Sequence, residues 1–229
     1  MYVLESSGNM KVILASNSPR RRALLSLLDL EFNVVPAEIN ESHHFGESPL
    51  DYVLRLASEK AIFVKAKGSN KSQDEIYIVV AADTTVVDGN QILGKPANDR
   101  EADQMLRQLR GRVHQVYTGI AVSVNDALVT DLCCTDVPMR NYSDEELKAY
   151  IKTGDPLDKA GAYAIQNTGF HPVGKIQGCF SNVVGLPLCH LVRVLRFQGV
   201  LIEPNTPLIC QEQFNYSCLI SAEILSKKL

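Results

Sequence analysis

The 229-residue chain has a globular composition, with 45% hydrophobic residues and a net charge of −3. That charge gives no general attraction to a nucleic-acid polymer or an anionic membrane, so any anion must be held by a local cluster of cations. The sequence contains no run of 18 apolar residues, so no membrane-spanning helix is predicted. Residues 1–10 lack the basic start and apolar stretch of a signal peptide. The six cysteines form no C-x-x-C pair, which favours reduced thiols in the cytoplasm over a structural zinc site.

The first predicted elements are a short strand at residues 12–15 and a helix that begins at Ser18-Pro19. Serine is favoured as the N-cap and proline at the first helical position. The free amides of that N-terminus and the arginines beside it favour an anion. Arg21 falls on the apolar face of the helix, so we predict that its side chain points inward.

A second strand is predicted at residues 32–35, followed by an acidic loop at 38–47 and a second capped helix. Ser48-Pro49 begins this helix, which should extend to about Lys65. Lys60 lies on its apolar stripe, where a lysine either extends its ammonium group to solvent or neutralises a buried anion. Spacing alone favours the first alternative.

The centre of the chain is the stretch from Ile76 to Lys95, IYIVVAADTTVVDGNQILGK. Its apolar, β-branched start predicts a strand buried on both faces that ends at Asp83. Asp88-Gly89 is a hairpin signal, which would bring Lys95 back beside the strand. A carboxylate at the end of a buried strand, with a lysine beside it, is typical of functional sites in α/β proteins. For Asp83 taken alone, capping of the next turn is an equal alternative.

The rest of the chain is predicted to add further helices and short strands. The expected helices lie at 99–110, 143–153 and 188–197, and the expected strands at 113–124, 127–134, 164–166, 173–176 and 182–184. No pattern is evident from Gln198 until Leu219. The early alternation of strands and helices, followed by hairpins, predicts a mixed α/β fold with a twisted sheet and two lobes around a central cleft.

Several charged residues lie at predicted element ends or on apolar faces. They are Arg21, Glu38, Lys60, Asp83, Lys95, Asp158 and Lys159. Carboxylates mixed with cations beside a helix N-terminus suit a metal-bound polyphosphate, because the cations neutralise phosphate oxygens and the carboxylates hold a hard divalent ion. One carboxylate of such a site can also accept a proton from attacking water.

The chain resembles the Maf-like nucleotide pyrophosphatases. The motifs that carry the resemblance are LASNSPRRRALL, the loop at Glu38, LASEKA, AADTTVV with ILGKP, HQVYTG, PLDKAGAYAIQ and NVVGLPL. They cover residues 11–197 in the family's order, which leaves 198–229 as a C-terminal extension of unknown role. Because every motif precedes the extension, we expect hydrolysis to survive its removal.

The resemblance implies a fold, an activity and a set of partners. The fold is a mixed α/β anvil similar to that of ITP pyrophosphatases. The activity is hydrolysis of nucleoside triphosphates to the monophosphate and pyrophosphate with Mg²⁺ or Mn²⁺. The expected partner is the nucleotide, without a nucleic-acid polymer or a membrane, in the cytoplasm, and a homodimer is left open.

The resemblance also implies residue roles. Asp83 matches the family's proton acceptor, and Glu38 and Asp83 match its metal-holding carboxylates. The positions that match the phosphate path are Ser16, Arg21, Lys60 and Lys95. Asp158 and Lys159 belong to the motif PLDKAGAYAIQ, which the resemblance places in the cleft. A salt bridge between the lobes would explain these two residues equally well. Neighbouring cations should keep Asp83 ionised at neutral pH.

Three matched positions separate subtypes within the resemblance: Arg20, Thr84 and Gln166. A subtype that acts on dTTP and UTP has these residues, whereas one that acts on 7-methyl-GTP has tryptophan, glutamine and glutamate. Gln166 offers a donor and an acceptor, which suits the neutral edge of thymine or uracil. The alternatives are a 7-methyl-GTP pyrophosphatase and a nucleotide-binding regulator of cell division, although the intact Asp83, Lys60 and Lys95 argue against a role in binding alone.

Overall fold

A computed structural model describes residues 10–68, 76–202 and 204–229. The described chain contains a mixed sheet in the order β2-β1-β3-β5-β6, with β4 paired to β3. Its strands are β1 (Met10–Leu14), β2 (Phe32–Val34), β3 (Ile76–Asp88), β4 (Gln91–Leu93), β5 (Val113–Val124) and β6 (Ala127–Pro138). This sheet confirms the predicted mixed α/β class.

Helices cover both faces of the sheet and one of its ends. They are α1 (Pro19–Ser26), α2 (Pro49–Lys67), α3 (Asp99–Leu109), α4 (Asp144–Ile151), α5 (Phe180–Val184), α6 (Leu188–Phe197), α7 (Thr206–Phe214) and α8 (Ser221–Ser226). The predicted caps Ser18 and Ser48, together with Asn98 at α3, each accept a backbone N–H from the first turn of their helix. Ser143 and Glu146 form a complete capping box at α4.

Strand β3 is longer than the sequence predicts, and Asp83 lies within it rather than at its end. β3 pairs in parallel with β1 from Ile76 to Val80 and then extends past the end of β1. It continues because β5 is an antiparallel partner along almost its whole length, from Ile78 to Val87. Asp83 therefore lies beyond the end of the parallel part of the sheet, still held in regular β structure.

Three apolar clusters divide the core. One contains residues of β1, β3 and β5 with α1 and α6, and a second lies on the opposite face under α2. The third lies at the far end of β3 and β5, beneath α3 and α4. The first two clusters form one lobe and the third forms the other, with a cleft between them.

The predicted strands after residue 160 are wrong. Residues 164–166 form a turn, since positive φ at Gly161 and Ala162 redirects the chain. The 173–176 segment makes only the isolated bridge from Val173 to Met139. The 182–184 segment is helical in α5, because the buried Asn182 amide donates to Val116 O at 2.9 Å and Thr135 Oγ1 at 3.0 Å, which fixes a helical turn against β5 and β6.

The C-terminal extension has more structure than its sequence suggests. Helices α7 and α8 both pack against α6. Local signals do exist for α7, since Asn205 caps it and Pro207 lies in its first turn. Its apolar residues are spread around the helix, so periodicity gives little indication of it.

Two compositional expectations have structural counterparts. No helix within the described residues combines the length and the apolar character that crossing a membrane requires. All six cysteines are free thiols.

A close contact between α2 and β5 fixes the position of the helix. Gly119 of β5 lies opposite Asp83 in the register of β3 and β5. A Cβ atom at Gly119 would lie 2.6 Å from the carbonyl oxygen of Val53 and 2.9 Å from the nitrogen of Leu54. Glycine is therefore required here so that the backbone of α2 can lie directly on the strand.

We expect Gly119→Ala to destabilise the protein by about 1–3 kcal/mol, because the new methyl group must push α2 away from the sheet. Thermal unfolding measures this change. Gly169→Ala is the matched control, since its Cβ would meet only Asn167 Oδ1 at 3.6 Å. Equal melting temperatures for the two variants would contradict the requirement for close approach.

Candidate active site

A cleft of about 610 Å³ lies at the N-terminus of α1, beside the middle of β3. Its polar lining includes Ser16, Arg21, Glu41, Lys60, Asp83 and Lys95. It continues into a smaller pocket of about 150 Å³, whose lining includes Val86, Val116, Tyr163, Ile165, Gln166, Val183 and Val184. Arg20, Arg21, Thr84 and Lys95 line both parts. The site thus has a charged end and a smaller end, called the apolar pocket below, whose lining also includes Asp158 and Lys159.

The charged end is built around Lys60. Its Nζ donates to Asp83 Oδ1 at 2.6 Å and lies 2.7 Å from Glu41 Oε1. Lys60 is only 7% exposed, so the expectation of a solvent-directed side chain is wrong. The reason is the contact at Gly119, which brings α2 close enough to Asp83 for the lysine to reach across.

The two carboxylates on Lys60 differ in their pKa values. Burial raises the pKa of Asp83, while the charges of Lys60 and Arg21 oppose the rise. Burial also acts upward on Glu41, but the hydrogen bond and charge of Lys60, aided by Lys95 and Arg21, outweigh it and lower its pKa. The sequence expectation that Asp83 is ionised rests on the neighbouring cations and leaves out burial. Because burial raises its pKa, Asp83 is a better proton acceptor than Glu41.

The structure brings Glu41, rather than Glu38, to the other candidate residues. Glu38 is exposed and does not line the cleft. Tyr52 on α2 donates its hydroxyl to Glu41 O at 2.9 Å, which holds the backbone of this glutamate. Sequence reasoning missed Glu41 because the acidic loop contains several glutamates, and no local pattern tells which of them contacts Lys60.

A second anchor on α2 holds the same loop. Arg55 Nε donates to Glu47 Oε1 at 2.6 Å, and Arg55 Nη2 donates to Ser42 O at 3.1 Å. Helix α2 therefore carries Lys60 and also fixes both ends of the segment that presents Glu41.

Arg21 points inward, as its position on α1 predicts. Its Nε donates to Gly185 O at 2.8 Å, and its Nη2 donates to Thr84 Oγ1 at 3.0 Å. Nη1 reaches Ser16 Oγ at 3.4 Å. Burial lowers the pKa of Arg21, an effect that the charge of Asp83 opposes. The guanidinium group is therefore held in a fixed orientation between α1, β3 and the end of α5.

A chain of hydroxyl groups continues from Arg21 into the core. Thr84 Oγ1 lies 2.9 Å from Thr118 Oγ1, and Thr118 donates to Asn182 O at 3.1 Å. Thr84 therefore belongs to the network that orients Arg21, in addition to lining the cleft.

Of the remaining candidates, Lys95, Asp158 and Lys159 lie on the wall opposite α1. Arg20 Nη1 is 3.7 Å from Asp158 Oδ2, so these residues meet across the cleft. Lys159 is buried, and its Nζ contacts Asp158 and, at 2.9 Å, Asp155 Oδ1. This agrees with the salt-bridge alternative for Asp158. Lys95 is exposed and makes no ion pair within the described chain.

The donor set fits a divalent cation only in part. The described residues contain no group of three or more His, Cys, Asp or Glu side chains that could hold a metal ion. Asp83 and Glu41 nevertheless supply two carboxylates against a single ammonium group. Mg²⁺ is often held by one or two carboxylates together with substrate phosphates, so the pair is sufficient if a bound phosphate completes the shell.

A helix N-terminus, cations and paired carboxylates beside a smaller pocket are features typical of a phosphate-binding site on an α/β scaffold. A family model described as Maf-like protein matches residues 11–198. The chain therefore belongs to the Maf-like protein family.

Two curated relatives cover most of this chain. One from Geotalea uraniireducens (strain Rf4), named dTTP/UTP pyrophosphatase, is 47% identical over 83% of this chain and 96% of its own length. One from Bacillus cereus (strain ATCC 10987 / NRS 248), with the same name, is 44% identical over 86% of this chain and 94% of its own length. The solved structure of the Staphylococcus aureus Ham1 protein has 14% identity and a TM-score of 0.40, covering 71% of this chain and 79% of that one.

Proposed function

We propose that this protein is a metal-dependent nucleoside triphosphate pyrophosphatase that prefers dTTP and UTP. It hydrolyses the α–β bond and releases the monophosphate and pyrophosphate. The observation that carries this proposal is the buried Lys60 ammonium group between Asp83 and Glu41, at the charged end of a cleft with an apolar pocket. The names of the relatives support the choice of substrate.

The charged end suits the triphosphate. Ser16, Arg21 and Lys95 line it beside the amides of α1, so they can donate to phosphate oxygens. Arg21 is already oriented by Gly185 and Thr84, so little side-chain freedom is lost when an anion binds. The smaller pocket then receives the base.

Asp83 is the proposed proton acceptor. Water attacks the α-phosphorus, its proton passes to the Asp83 carboxylate, and pyrophosphate leaves with the bonding electron pair. The raised pKa of Asp83 favours this transfer. Lys60, which contacts both Asp83 and Glu41, offsets the negative charge that develops nearby.

Asp83 and Glu41 are the residues that would hold Mg²⁺ or Mn²⁺, with Glu41 in the role that the resemblance implies for Glu38. The ion would neutralise phosphate oxygens and polarise the phosphoryl group. Glu41 is well suited because its lowered pKa keeps it ionised, and Tyr52 fixes its backbone.

Catalysis is favoured over a role in nucleotide binding alone. A protein that only binds a nucleotide has no use for a carboxylate buried against a lysine, which costs desolvation energy. We further propose residues 11–197 as the catalytic unit and the cytoplasm as the compartment, the latter because all six thiols are free.

Asp83→Asn should lower kcat by at least ~10², because it removes the proton acceptor while preserving the shape of the side chain. Turnover of dTTP with Mg²⁺ measures the effect, and circular dichroism checks the fold. Chromatography of the wild-type products tests the bond that is cut. Near-normal turnover in the variant, or release of the diphosphate and orthophosphate by the wild type, would refute the mechanism.

Glu41→Gln and Glu38→Gln form a matched pair within one loop. We expect Glu41→Gln to raise the Mn²⁺ concentration needed for half-maximal activity by about ten-fold or more, since an anionic ligand is lost. Glu38→Gln should leave it unchanged, because Glu38 lies outside the cleft. Equal effects of the two substitutions would contradict the assignment of Glu41.

The apolar pocket supports a preference for a pyrimidine base. Gln166 lines it and can pair with the donor and acceptor edge of thymine or uracil. Thr84 is engaged with Arg21 and Thr118, so its contribution to base choice is indirect. Arg20 lines both parts of the site and lies near Asp158, where it can donate to a base carbonyl or a phosphate.

We expect kcat/KM to favour dTTP and UTP over CTP, ATP and 7-methyl-GTP, because an edge that leaves pocket groups unpaired is rejected. Gln166→Glu should reduce the preference for dTTP, since a carboxylate loses the amide donor. The measurement is kcat/KM across this panel for both proteins. A wild type that works best on 7-methyl-GTP, or an unchanged ranking in the variant, would sink the specificity argument.

A further inference from the structure

The C-terminal extension touches the segment that leads into α5. Phe214 of α7 stacks on Phe180, with ring centroids 4.6 Å apart and an interplanar angle of 25°. The Tyr216 ring lies 5.6 Å from the same phenylalanine. The Tyr216 hydroxyl donates to Gly178 O at 3.0 Å and also lies 3.4 Å from Gly178 N. Both contacting residues lie beyond residue 198, where the match to the family model ends.

Helix α5 forms part of the candidate site. Val183 and Val184 line the apolar pocket, and Gly185 lies at the helix C-terminus. The Gly185 carbonyl accepts the Arg21 Nε hydrogen bond. The position of α5 therefore determines one wall of the pocket and the direction of a buried guanidinium group.

This helix depends on contacts from outside it. It has five residues, and no side chain caps its N-terminus. A helix this short has little stability of its own in water. Asn182 anchors its middle to β5 and β6, whereas Phe180 at its start packs against Phe214 and Tyr216.

We propose that Phe214 and Tyr216 are positioning residues that hold α5 in place and thereby tune nucleotide affinity and base selectivity. The proposal rests on the proposed function of the same site. It adds an effect on substrate affinity to the sequence expectation that hydrolysis survives removal of the extension. Loss of the aromatic contact removes the support at the start of α5, and the wall formed by Val183 and Val184 then shifts, although Asn182 still holds the middle of the helix.

The test compares kcat and KM for dTTP and ATP in wild type, Phe214→Ala, Phe214→Tyr and Tyr216→Phe. Phe214→Ala should raise KM for dTTP about five- to ten-fold, change kcat less, and narrow the preference for dTTP over ATP. Phe214→Tyr retains an aromatic ring and should behave as the wild type. Tyr216→Phe loses the hydroxyl contacts to Gly178 and should give a smaller rise in KM.

Ile224→Ala is the matched control for general loss of stability. Ile224 is buried on α8, which packs against α6. It should lower the melting temperature without raising KM. If Phe214→Ala lowers only the melting temperature, or if both variants raise KM equally, the positioning role is wrong.

Two further outcomes distinguish a failure of the positioning role from a failure of the proposed function. If Phe214→Ala does not fold, Tyr216→Phe decides, and an unchanged KM in that variant overturns the proposal. If the wild type hydrolyses neither dTTP nor UTP, the proposed function fails. Dissociation constants of the same variants for dTTP, measured by calorimetry, then test the positioning role by itself, and equal values for Phe214→Ala and wild type refute it.

Discussion

The buried ion pair between Lys60 and Asp83 is the interaction on which the rest of the site depends. A buried charge that loses its partner is strongly destabilising, so the lysine and the carboxylate must be in contact in the folded protein. This contact requires α2 to lie directly on β5, which the absence of a side chain at Gly119 permits. The packing of a helix on a sheet and the placement of the proposed chemistry are therefore a single structural requirement.

Local signals in the sequence predict much of the fold. The caps Ser18, Ser48 and Ser143 each mark a helix start that the structure contains. Such signals depend on neighbouring residues only, which is why they can be read from sequence. The placement of Lys60 depends instead on a glycine far along the chain, so spacing on α2 alone favoured the wrong alternative.

In the candidate site, too, features set by neighbouring residues can be predicted from sequence, whereas features set by distant residues cannot. The inward face of Arg21 follows from helical periodicity, whereas its partner Gly185 is distant in sequence and could not be predicted that way. The acidic loop was identified, but the choice between Glu38 and Glu41 depends on the hydrogen bond that Tyr52 makes to the backbone. Helix α5 was mistaken for a strand because Asn182, which stabilises it, acts through β5 and β6.

Helix α2 supplies Lys60, anchors the Glu41 loop through Tyr52 and Arg55, and rests on the strand beside Asp83. All of these contacts lie within one lobe. The other lobe contributes the wall that bears Lys95 and Asp158, and it is joined to α1 by the exposed pair between Arg20 and Asp158. Exposed pairs of this kind are weak. A displacement of the opposite wall would therefore change the width of the entrance, whereas the spacing of Lys60, Asp83 and Glu41 is set within one lobe.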